Sequence, residues 1–156
     1  MPYEIERKFL VTSDKYKIDS LSKSYKQGYL CTESSRTVRV RLAGNRGFIT
    51  IKGESIDCAR LEFEYEIPPA DAAQLLDTLC LKPLIEKTRY RKAGPDGKIW
   101  EIDKFGGENE GLVIAEIELS HREESFARPD WIGQEVTGDV RYYNSYLSQN
   151  PYKSWE

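Results

Sequence analysis

The stretch EIERKF, residues 4–9, is decisive for the fold because its side chains alternate in character with a period of two. In an extended strand, successive side chains project to opposite faces of the sheet. One face of this segment therefore carries Glu4, Glu6 and Lys8, whereas the other is mainly apolar. The sequence predicts a strand whose charged face either meets water or is directed at a ligand inside the protein.

Alternating segments of the same kind recur along the chain, with turn signals between them. The glycine-containing turns AGNRG (43–47) and AGPDGK (93–98) are typical of hairpins and favour antiparallel neighbours. Leucines at helical spacing in PPADAAQLLDTLC (68–80) predict an amphipathic helix, and RYYNSYLSQ (141–149) predicts a final one. We predict an α+β fold in one domain, residues 1–156, with eight antiparallel strands and two or three helices. The predicted strands are 4–11, 24–30, 37–42, 47–53, 60–67, 84–92, 98–105 and 112–119.

Like charges repeat at positions i and i+2 on the polar face of several predicted strands. Such side chains lie roughly 7 Å apart, and two like charges there repel by about 2 kcal/mol at an effective dielectric near 20, or about 0.6 kcal/mol in bulk water. A solvated face normally mixes both signs with neutral polar residues, although any one of these strands alone would fit that description. The repetition indicates that a bound ligand supplies counter-charges. The charged positions that share this parity are Glu4, Glu6, Lys8, Arg39, Arg41, Lys52, Glu62, Glu64, Glu66, Lys87, Arg89, Arg91, Glu101, Asp103, Glu116 and Glu118.

The two signs of charge indicate two kinds of ligand. Clustered carboxylates without His or Cys partners are hard oxygen ligands, suited to Mg²⁺ or Mn²⁺ rather than zinc. Clustered Arg and Lys side chains suit a multiply charged anion, because the Arg fork matches phosphate oxygens bidentately. Both sets on one curved sheet predict a site for a polyphosphate together with its metal.

The bulk composition limits the partners of the protein. The net charge of −3 gives no general attraction to nucleic acid or to an anionic membrane, so we expect neither as a partner. No 18-residue apolar run occurs, and the charges of EIERKF interrupt any signal-like segment, so we expect a cytoplasmic protein. The three cysteines are widely spaced and predict neither disulfides nor a zinc site. His121, in a segment with capping-box spacing, is expected in the first turn of a helix.

The order of the motifs resembles the CYTH family, also called triphosphate tunnel metalloenzymes. EIERKF matches the Glu-x-Glu-x-Lys signature of that family, and the resemblance covers roughly residues 3–147. It continues through RVRL, TIKG, EFEYEI, EKTRYR, EID, EIEL and EVTGDVRYYN, and is similar to the short bacterial inorganic triphosphatases. The resemblance implies an eight-stranded antiparallel β-barrel, open as a tunnel with its charged face inward. It also implies metal-dependent hydrolysis of a linear inorganic triphosphate to pyrophosphate and phosphate.

On this resemblance we assign roles to the charged positions. Lys8, Lys87 and Tyr29 are the catalytic candidates, and Lys87 with Tyr29 is a candidate proton-handling pair, because a Lys among other cations can have a lowered pKa. Packing in the barrel wall is the competing interpretation of Tyr29. Arg141, in the last helix, resembles an Arg that closes a tunnel end. The candidates for substrate binding are Lys8, Arg39, Arg41, Lys52, Lys87, Arg89 and Arg141. The candidates for Mg²⁺ or Mn²⁺ are Glu4, Glu6, Glu62, Glu64, Asp103, Glu116 and Glu118.

Some of these assignments carry alternatives. Glu62 and Glu64 are the carboxylates expected to pair with Arg and Lys rather than to bind metal. Glu66, Arg91 and Glu101 are expected at strand ends in solvent and are left out of the site. Tyr142, Tyr143 and Tyr146 are expected to pack rather than to stack on bases.

Other functions remain open at this level. A thiamine triphosphatase, another organic triphosphatase or an adenylate cyclase would use the same interior, as would a polyphosphate or nucleotide binder without turnover. An apolar carrier of the lipocalin kind would leave the repeated like charges uncompensated. A P-loop enzyme is excluded because GGENEG (106–111) lacks the Lys-Ser/Thr that follows such a loop. A homodimer is compatible with the sequence.

Overall fold

A computed structural model describes residues 3–155 and contains a nine-stranded antiparallel sheet. Alternating polar and apolar residues form each strand, as expected for a sheet with two different faces. The strands are β1 (Tyr3–Val11), β2 (Leu21–Glu33), β3 (Arg36–Ala43), β4 (Arg46–Gly53), β5 (Ala59–Ile67), β6 (Ile85–Ala93), β7 (Ile99–Phe105), β8 (Val113–Glu118) and β9 (Ile132–Glu135).

Eight of the strands close into a barrel. The order is β5-β4-β3-β2-β6-β7-β8-β1-β9, and β1 also pairs with β5, which joins the two sides of the sheet. The closing register places Glu4 opposite Arg60. Closure removes the free sheet edges and gives the sheet an inner face, on which every second side chain lies. β9 is outside the closed ring and pairs with β1 beyond Lys8.

Two α-helices accompany the barrel, α1 (Pro69–Thr78) and α2 (Asn144–Gln149). α1 begins at a proline, which fits the first helical turn because that position needs no N–H donor. Its buried side chains Ala72 and Leu76 pack with Val40 on the outside of β3. Short 3₁₀ helices occupy Lys15–Lys17, Gly107–Asn109, Val140–Tyr142 and Tyr152–Ser154.

The main apolar core lies outside the barrel. Trp100 and Ile102 on β7 point outward because they alternate with the inward residues Glu101 and Asp103. Phe9 contacts Trp100 with a ring-centroid distance of 5.5 Å, and Trp131 contacts the same ring at 5.9 Å. The segment after β8 thus supplies the outer cover of this wall, and the inner face is left to polar residues.

The inner face changes character along the barrel. At one end, Ile85, Phe105 and Ile114 occupy inward positions and pack with Leu147 of α2 in one buried apolar cluster. The charged positions occupy the rest of the interior. The predicted charged interior is therefore confirmed, and an apolar floor that includes α2 limits its depth.

The eight-stranded barrel is confirmed, with differences at its periphery. β9 was not predicted, because its four residues are too short to show a period. The prediction for His121 is wrong: residues 120–123 form bends and turns, and the backbone N–H of Ser120 donates to Glu124 rather than Glu123. The final helix is shorter than predicted, and Arg141 precedes it in a 3₁₀ turn that Asp139 caps. Across residues 3–155, no helix combines the length and apolar character needed to cross a membrane.

Candidate active site

The charged face of the barrel surrounds a cavity of about 280 Å³. Its lining comes from all eight barrel strands and from the start of α2, so no single segment of sequence contains the site. The described lining residues are Glu4, Glu6, Lys8, Tyr25, Tyr29, Thr37, Arg39, Arg41, Lys52, Arg60, Glu62, Glu64, Lys87, Arg89, Glu101, Glu116, Glu118, Tyr143, Asn144 and Ser145.

Four cations from β3 and β6 face this cavity, and all but Arg89 are buried. Arg39 is 8% exposed, Arg41 9% and Lys87 5%. Arg39 donates from Nη2 to Thr50, but its Nε is buried and has no hydrogen-bond partner. Burial, followed by the charges of Arg39 and Arg89, lowers the pKa of Arg41 to about 9. The guanidinium of Arg41 still stays protonated near neutral pH. The lowered pKa therefore indicates that positive charge is in excess around Arg41, and a bound anion would offset it.

Asp103 holds two of these cations together. Its Oδ1 accepts from Arg89 Nε at 2.7 Å, and its Oδ2 accepts from Lys87 Nζ at 2.7 Å and from Arg89 Nη2 at 2.9 Å. Although burial acts in the opposite direction, the charges of Arg89 and Lys87 hold the pKa of Asp103 well below its usual value. Both oxygens are engaged, so the structure places Asp103 with the cations rather than in a metal shell.

The environment of Lys87 in the cavity strongly lowers the pKa of its amine. Its pKa is lowered to about 7, chiefly by burial and further by the charges of Arg89 and Arg41, against the opposing effect of Asp103. The direction agrees with the sequence-based expectation for a Lys among cations.

A neutral network connects these cations to α2. Lys87 Nζ donates to Asn144 Oδ1 at 2.9 Å, and Gln27 Nε2 donates to the same oxygen at 2.7 Å. The other end of Gln27, Oε1, accepts from Arg41 Nε at 2.9 Å. Gln27 is fully buried, so its amide fixes Arg41 and Lys87 relative to each other without adding charge.

Carboxylates from β1 and β8 occupy the opposite side of the cavity. Glu6 and Glu116 are in side-chain contact, and burial together with repulsion from Glu116 and Glu4 raises the pKa of Glu6 well above its usual value. Glu116 is also buried, yet Lys8 and the hydrogen bond from Glu6 lower its pKa to about 2. Two buried carboxyl groups in contact require a shared proton or a cation between them.

A second cluster of carboxylates lies on β1 and β5, around Thr50 and Lys52 of β4. Lys52 Nζ donates to Glu4 at 2.9 and 3.0 Å and lies 3.3 Å from Glu62. Glu64 accepts from Thr50 at 2.9 Å and lies 3.6 Å from Arg39. Glu62 and Glu64 thus contact Lys and Arg side chains, as expected for the pairing role.

The structure brings most of the predicted site residues together. All predicted substrate-binding cations except Arg141 line the cavity, and all predicted metal carboxylates except Asp103 do so. Glu118 lies at its edge, where burial and nearby Glu4 raise its pKa.

Tyr29 is buried in the wall of the same cavity. Among residues 3–155, no hydrogen bond joins Tyr29 to Lys87, so their proposed partnership stays a prediction.

Arg141 lies elsewhere, which corrects its sequence-based placement. It is not in the last helix, and its guanidinium pairs with Asp139 at 2.7 Å instead of lining the cavity. The residues that line the cavity in this part of the chain are Tyr143 and Asn144, which follow Arg141 by two and three positions. An aromatic stack with Trp155, at 5.8 Å from the ring centroid, holds Arg141 outside.

Several lining residues were missed by reasoning from sequence. Arg60 shares the inward parity and was not predicted. The expectation that Glu101 lies in solvent outside the site is wrong, because Glu101 lines the cavity 3.4 Å from Arg89, whereas Glu66 pairs with Arg46 in the exposed position expected for it. Gln27 and Asn144 carry no charge and gave no signal of their own. Tyr143 was expected only to pack, but Lys8 Nζ lies 4.8 Å from its ring centroid at the cavity.

Within the described part of the chain, no three His, Cys, Asp or Glu side chains are grouped closely enough to hold a metal ion alone.

Comparison with known proteins agrees with this architecture. The sequence pattern of the CYTH domain matches residues 2–143. The inorganic triphosphatase of Acetivibrio thermocellus is 52% identical over 156 residues, which cover 100% of this chain and 99% of that protein. The inorganic triphosphatase of Nitrosomonas europaea is 36% identical over 149 residues, covering 93% and 96% of the two chains.

Among solved structures, the crystal structure of an inorganic triphosphatase superposes with a TM-score of 0.69. Its sequence is 35% identical, and the match covers 95% of each chain. The pattern match over most of the residues, the full-length relatives and the shared barrel lead to one conclusion: the chain belongs to the CYTH domain family.

Proposed function

We propose that this protein hydrolyses inorganic triphosphate to pyrophosphate and phosphate inside the barrel, with Mg²⁺ or Mn²⁺ as cofactor. One observation carries the proposal: the buried cations Arg39, Arg41 and Lys87 and the partly buried Arg89 surround one small cavity, where Arg39 Nε has no partner. The relatives that are named inorganic triphosphatases support the same substrate.

A polyanion with many oxygens suits these cations. Buried donors without partners cost free energy, and phosphate oxygens can accept from Arg forks bidentately. The cavity of about 280 Å³ is lined almost wholly by charged and polar side chains, whereas pockets for organic ligands are lined mainly by apolar and aromatic ones. This lining favours a compact inorganic polyanion.

The donor set of the opposite wall suits a hard divalent cation. Mg²⁺ is usually bound by one or two carboxylates together with phosphate oxygens and water, and Glu6 with Glu116 supplies such a pair. When bound, the cation would neutralise charge on non-bridging phosphate oxygens and acidify water. Glu4 and Glu62 keep Lys52 beside this pair, which positions a further cation for the substrate.

The remaining chemistry belongs to the side chains of the chain itself. In the reaction, a water oxygen forms a bond to a terminal phosphorus, the bond from that phosphorus to the bridging oxygen breaks, and pyrophosphate leaves. Lys87 Nζ, with a pKa lowered to about 7, can accept the proton of the water at neutral pH. Arg39, Arg41 and Arg89 hold the phosphate oxygens in line, and Tyr29 is the candidate partner of Lys87.

The first test is phosphate release by an Arg39→Gln variant. Removing one donor to developing negative charge typically costs about 10²–10³ in rate, so kcat/KM for tripolyphosphate should fall by that factor. Arg46→Gln is the matched control, because Arg46 pairs with Glu66 on the surface. If Arg39→Gln stays within threefold of the wild type, the assignment of the cavity as the phosphate site is wrong.

The metal requirement has a separate test. Activity should disappear in chelator and return with Mg²⁺ or Mn²⁺, and Glu6→Gln with Glu116→Gln should abolish that return while circular dichroism stays unchanged. Glu108→Gln, at an exposed site away from the cavity, serves as the control. Full activity in chelator would refute the metal dependence.

A second candidate function is hydrolysis of an organic triphosphate, such as thiamine triphosphate or ATP. A groove of about 350 Å³, lined by Tyr146, Val140 and neutral polar residues, shares Arg60 and Tyr143 with the charged cavity and could hold an organic group. We expect tripolyphosphate to be the fastest substrate by a wide margin. Equal or faster turnover of ATP or thiamine triphosphate would favour this candidate, and binding without phosphate release would indicate a non-catalytic protein.

A further inference from the structure

Tyr143 lies where three cavities of the barrel meet. The charged cavity of about 280 Å³, the neighbouring groove of about 350 Å³ and a narrow opening of about 20 Å³ beside Cys58 are all lined by Arg60 and Tyr143. The charged cavity and the groove also share Thr37 and Ser145, whose side chains are small. Among the described residues, Tyr143 is therefore the one aromatic residue in the wall between the charged cavity and the groove.

The backbone holds Tyr143 firmly at this junction. Its conformation is extended, with φ −77° and ψ 138°, between the 3₁₀ turn Val140–Tyr142 and α2. The N–H of Tyr143 donates to the carbonyl of Val140 at 3.1 Å, and its carbonyl accepts from the N–H of Leu147 at 3.0 Å. Leu147 is fully buried in the apolar floor of the barrel. The ring of Tyr143 thus projects from an anchored position rather than from a free loop.

Two cations of the barrel wall lie beside the ring of Tyr143. Lys8 Nζ, from β1, is 4.8 Å from the ring centroid, and Arg60 Cζ, from β5, is 5.9 Å from it. Arg60 is itself fixed, because its Nε donates to the carbonyl of Gly53 at 3.1 Å. A cation within about 6 Å of an aromatic ring is attracted to the ring face. This attraction and the anchored backbone together keep the ring at the boundary of the charged cavity.

The position of the ring distinguishes two kinds of triphosphate. Tripolyphosphate consists of phosphate groups alone, so all of it can remain among the cations of the charged cavity. A nucleoside triphosphate carries a nucleoside on one end of the same chain, and this uncharged group has to lie elsewhere. The groove, with neutral polar residues such as Thr32 and Gln149 beside Tyr146, matches the donors, acceptors and flat base of a nucleoside. The path from the charged cavity to the groove passes the ring of Tyr143.

We propose that Tyr143 is a specificity-determining residue, whose ring separates the charged cavity from the groove and so selects tripolyphosphate against nucleoside triphosphates. The inference rests on the proposed triphosphatase function and assigns its substrate preference to one side chain. A protein can discriminate between two ligands by a steric obstacle to one of them, without any better contact to the other. Here the obstacle acts only on a triphosphate whose end carries an organic group.

The test compares kcat/KM for ATP with kcat/KM for tripolyphosphate in the wild type and in Tyr143→Ala. Because loss of the ring joins the charged cavity to the groove, the value for ATP relative to tripolyphosphate should rise at least about tenfold, with a lower KM for ATP. Tyr143→Phe is the matched control, since it keeps the ring and should change this ratio by less than about twofold. Val140→Trp, added to Tyr143→Ala, fills the groove and should remove the gain. Circular dichroism checks the fold, and Tyr143→Leu, which also lacks the ring, replaces Tyr143→Ala if that variant unfolds.

Two results would overturn the proposal. An unchanged ratio in folded Tyr143→Ala would mean that the ring does not obstruct the nucleoside, and equal losses with both substrates would indicate a merely structural role. A gain that persists after Val140→Trp would mean that the nucleoside does not enter the groove. A wild type without triphosphatase activity would instead refute the proposed function. In that case the Kd values of ATP and tripolyphosphate, measured by calorimetry in chelator, decide the role of Tyr143, and the same relative gain for ATP in Tyr143→Ala is expected.

Discussion

The substitution Asp103→Asn probes the charge balance of the cavity. The side chain keeps its shape but loses its negative charge between Lys87 and Arg89. Three charge-assisted hydrogen bonds of 2.7–2.9 Å end on its two oxygens. In the variant, one amide oxygen remains as an acceptor, and the amide nitrogen faces cationic donors.

The expected loss of stability follows from burial. Removing one partner of a buried ion pair typically costs about 3–5 kcal/mol, because the other charge stays buried without compensation. Arg89 stays protonated and loses its counter-charge here, whereas Lys87, with a pKa of about 7, can lose its proton instead, so we expect about 3–4 kcal/mol. The depressed pKa of Asp103 means that its contribution is present above its unfolded-state pKa of about 3.9 and is lost as pH falls toward the folded-state value. At pH 7 the full contribution is therefore measurable.

The assay is urea denaturation at pH 7, followed by circular dichroism. With a slope of about 2 kcal/mol per molar urea, the midpoint should fall by about 2 M. Tripolyphosphate in chelator should raise the midpoint more in Asp103→Asn than in the wild type, because the polyanion supplies the missing negative charge. Asp57→Asn is the control: Asp57 pairs with Arg122 at the surface, where such a pair contributes about 0–1 kcal/mol.

Two outcomes would refute this reasoning. A loss below 1 kcal/mol in Asp103→Asn would mean that Asp103 is not the counter-charge that stabilises Arg89 in the cavity. Equal stabilisation of variant and wild type by tripolyphosphate would mean that the polyanion does not bind these cations.

Three further predictions concern other parts of the molecule. The kcat/KM of the wild type should rise as the pH increases through about 7, the pKa of Lys87, because only the neutral amine can accept the proton. If the pH profile of Lys87→Arg shows the same rise, Lys87 is not the base. Asn144→Leu should lower the free energy of unfolding by about 1–3 kcal/mol, since Gln27 and Lys87 lose a buried acceptor. Asn144→Asp should keep the acceptor and most of the stability. Equal urea midpoints for the two variants would contradict this prediction. Gly47→Ala should cost about 1–3 kcal/mol because its Cβ would lie 2.8 Å from that of Ala72, while Gly53→Ala, with ordinary contacts, should be near neutral by thermal unfolding.

The charged positions of the site could be predicted because a strand has a period of two. Arg39 and Arg41, or Glu116 and Glu118, must share a face whatever the barrel geometry, and their like charges demanded a counter-charge. The same period would have predicted Arg60, which has the parity of Glu62 and lines the cavity.

The neutral residues of the site could not be predicted in this way. Gln27 has the parity of Tyr25 and Tyr29, but nothing in its type shows that its amide connects Arg41 to Asn144. By residue type alone, Asp103 is a metal candidate like the glutamates of the site. Only the distances to Lys87 and Arg89 separate it from Glu6, whose neighbour is another carboxylate.

The sequence by itself determined the strands, their two faces and the ionic character of one of them, because these depend on local alternation. The tertiary structure alone decided which charges meet, since β1 pairs with residues of β5 and β8 that are 54 or more positions distant only once the barrel closes. It placed Asp103 against Lys87, Glu6 against Glu116 and Arg141 outside the cavity. Coulomb energies and desolvation depend on distances of a few ångströms between distant segments, and no local pattern contains those distances.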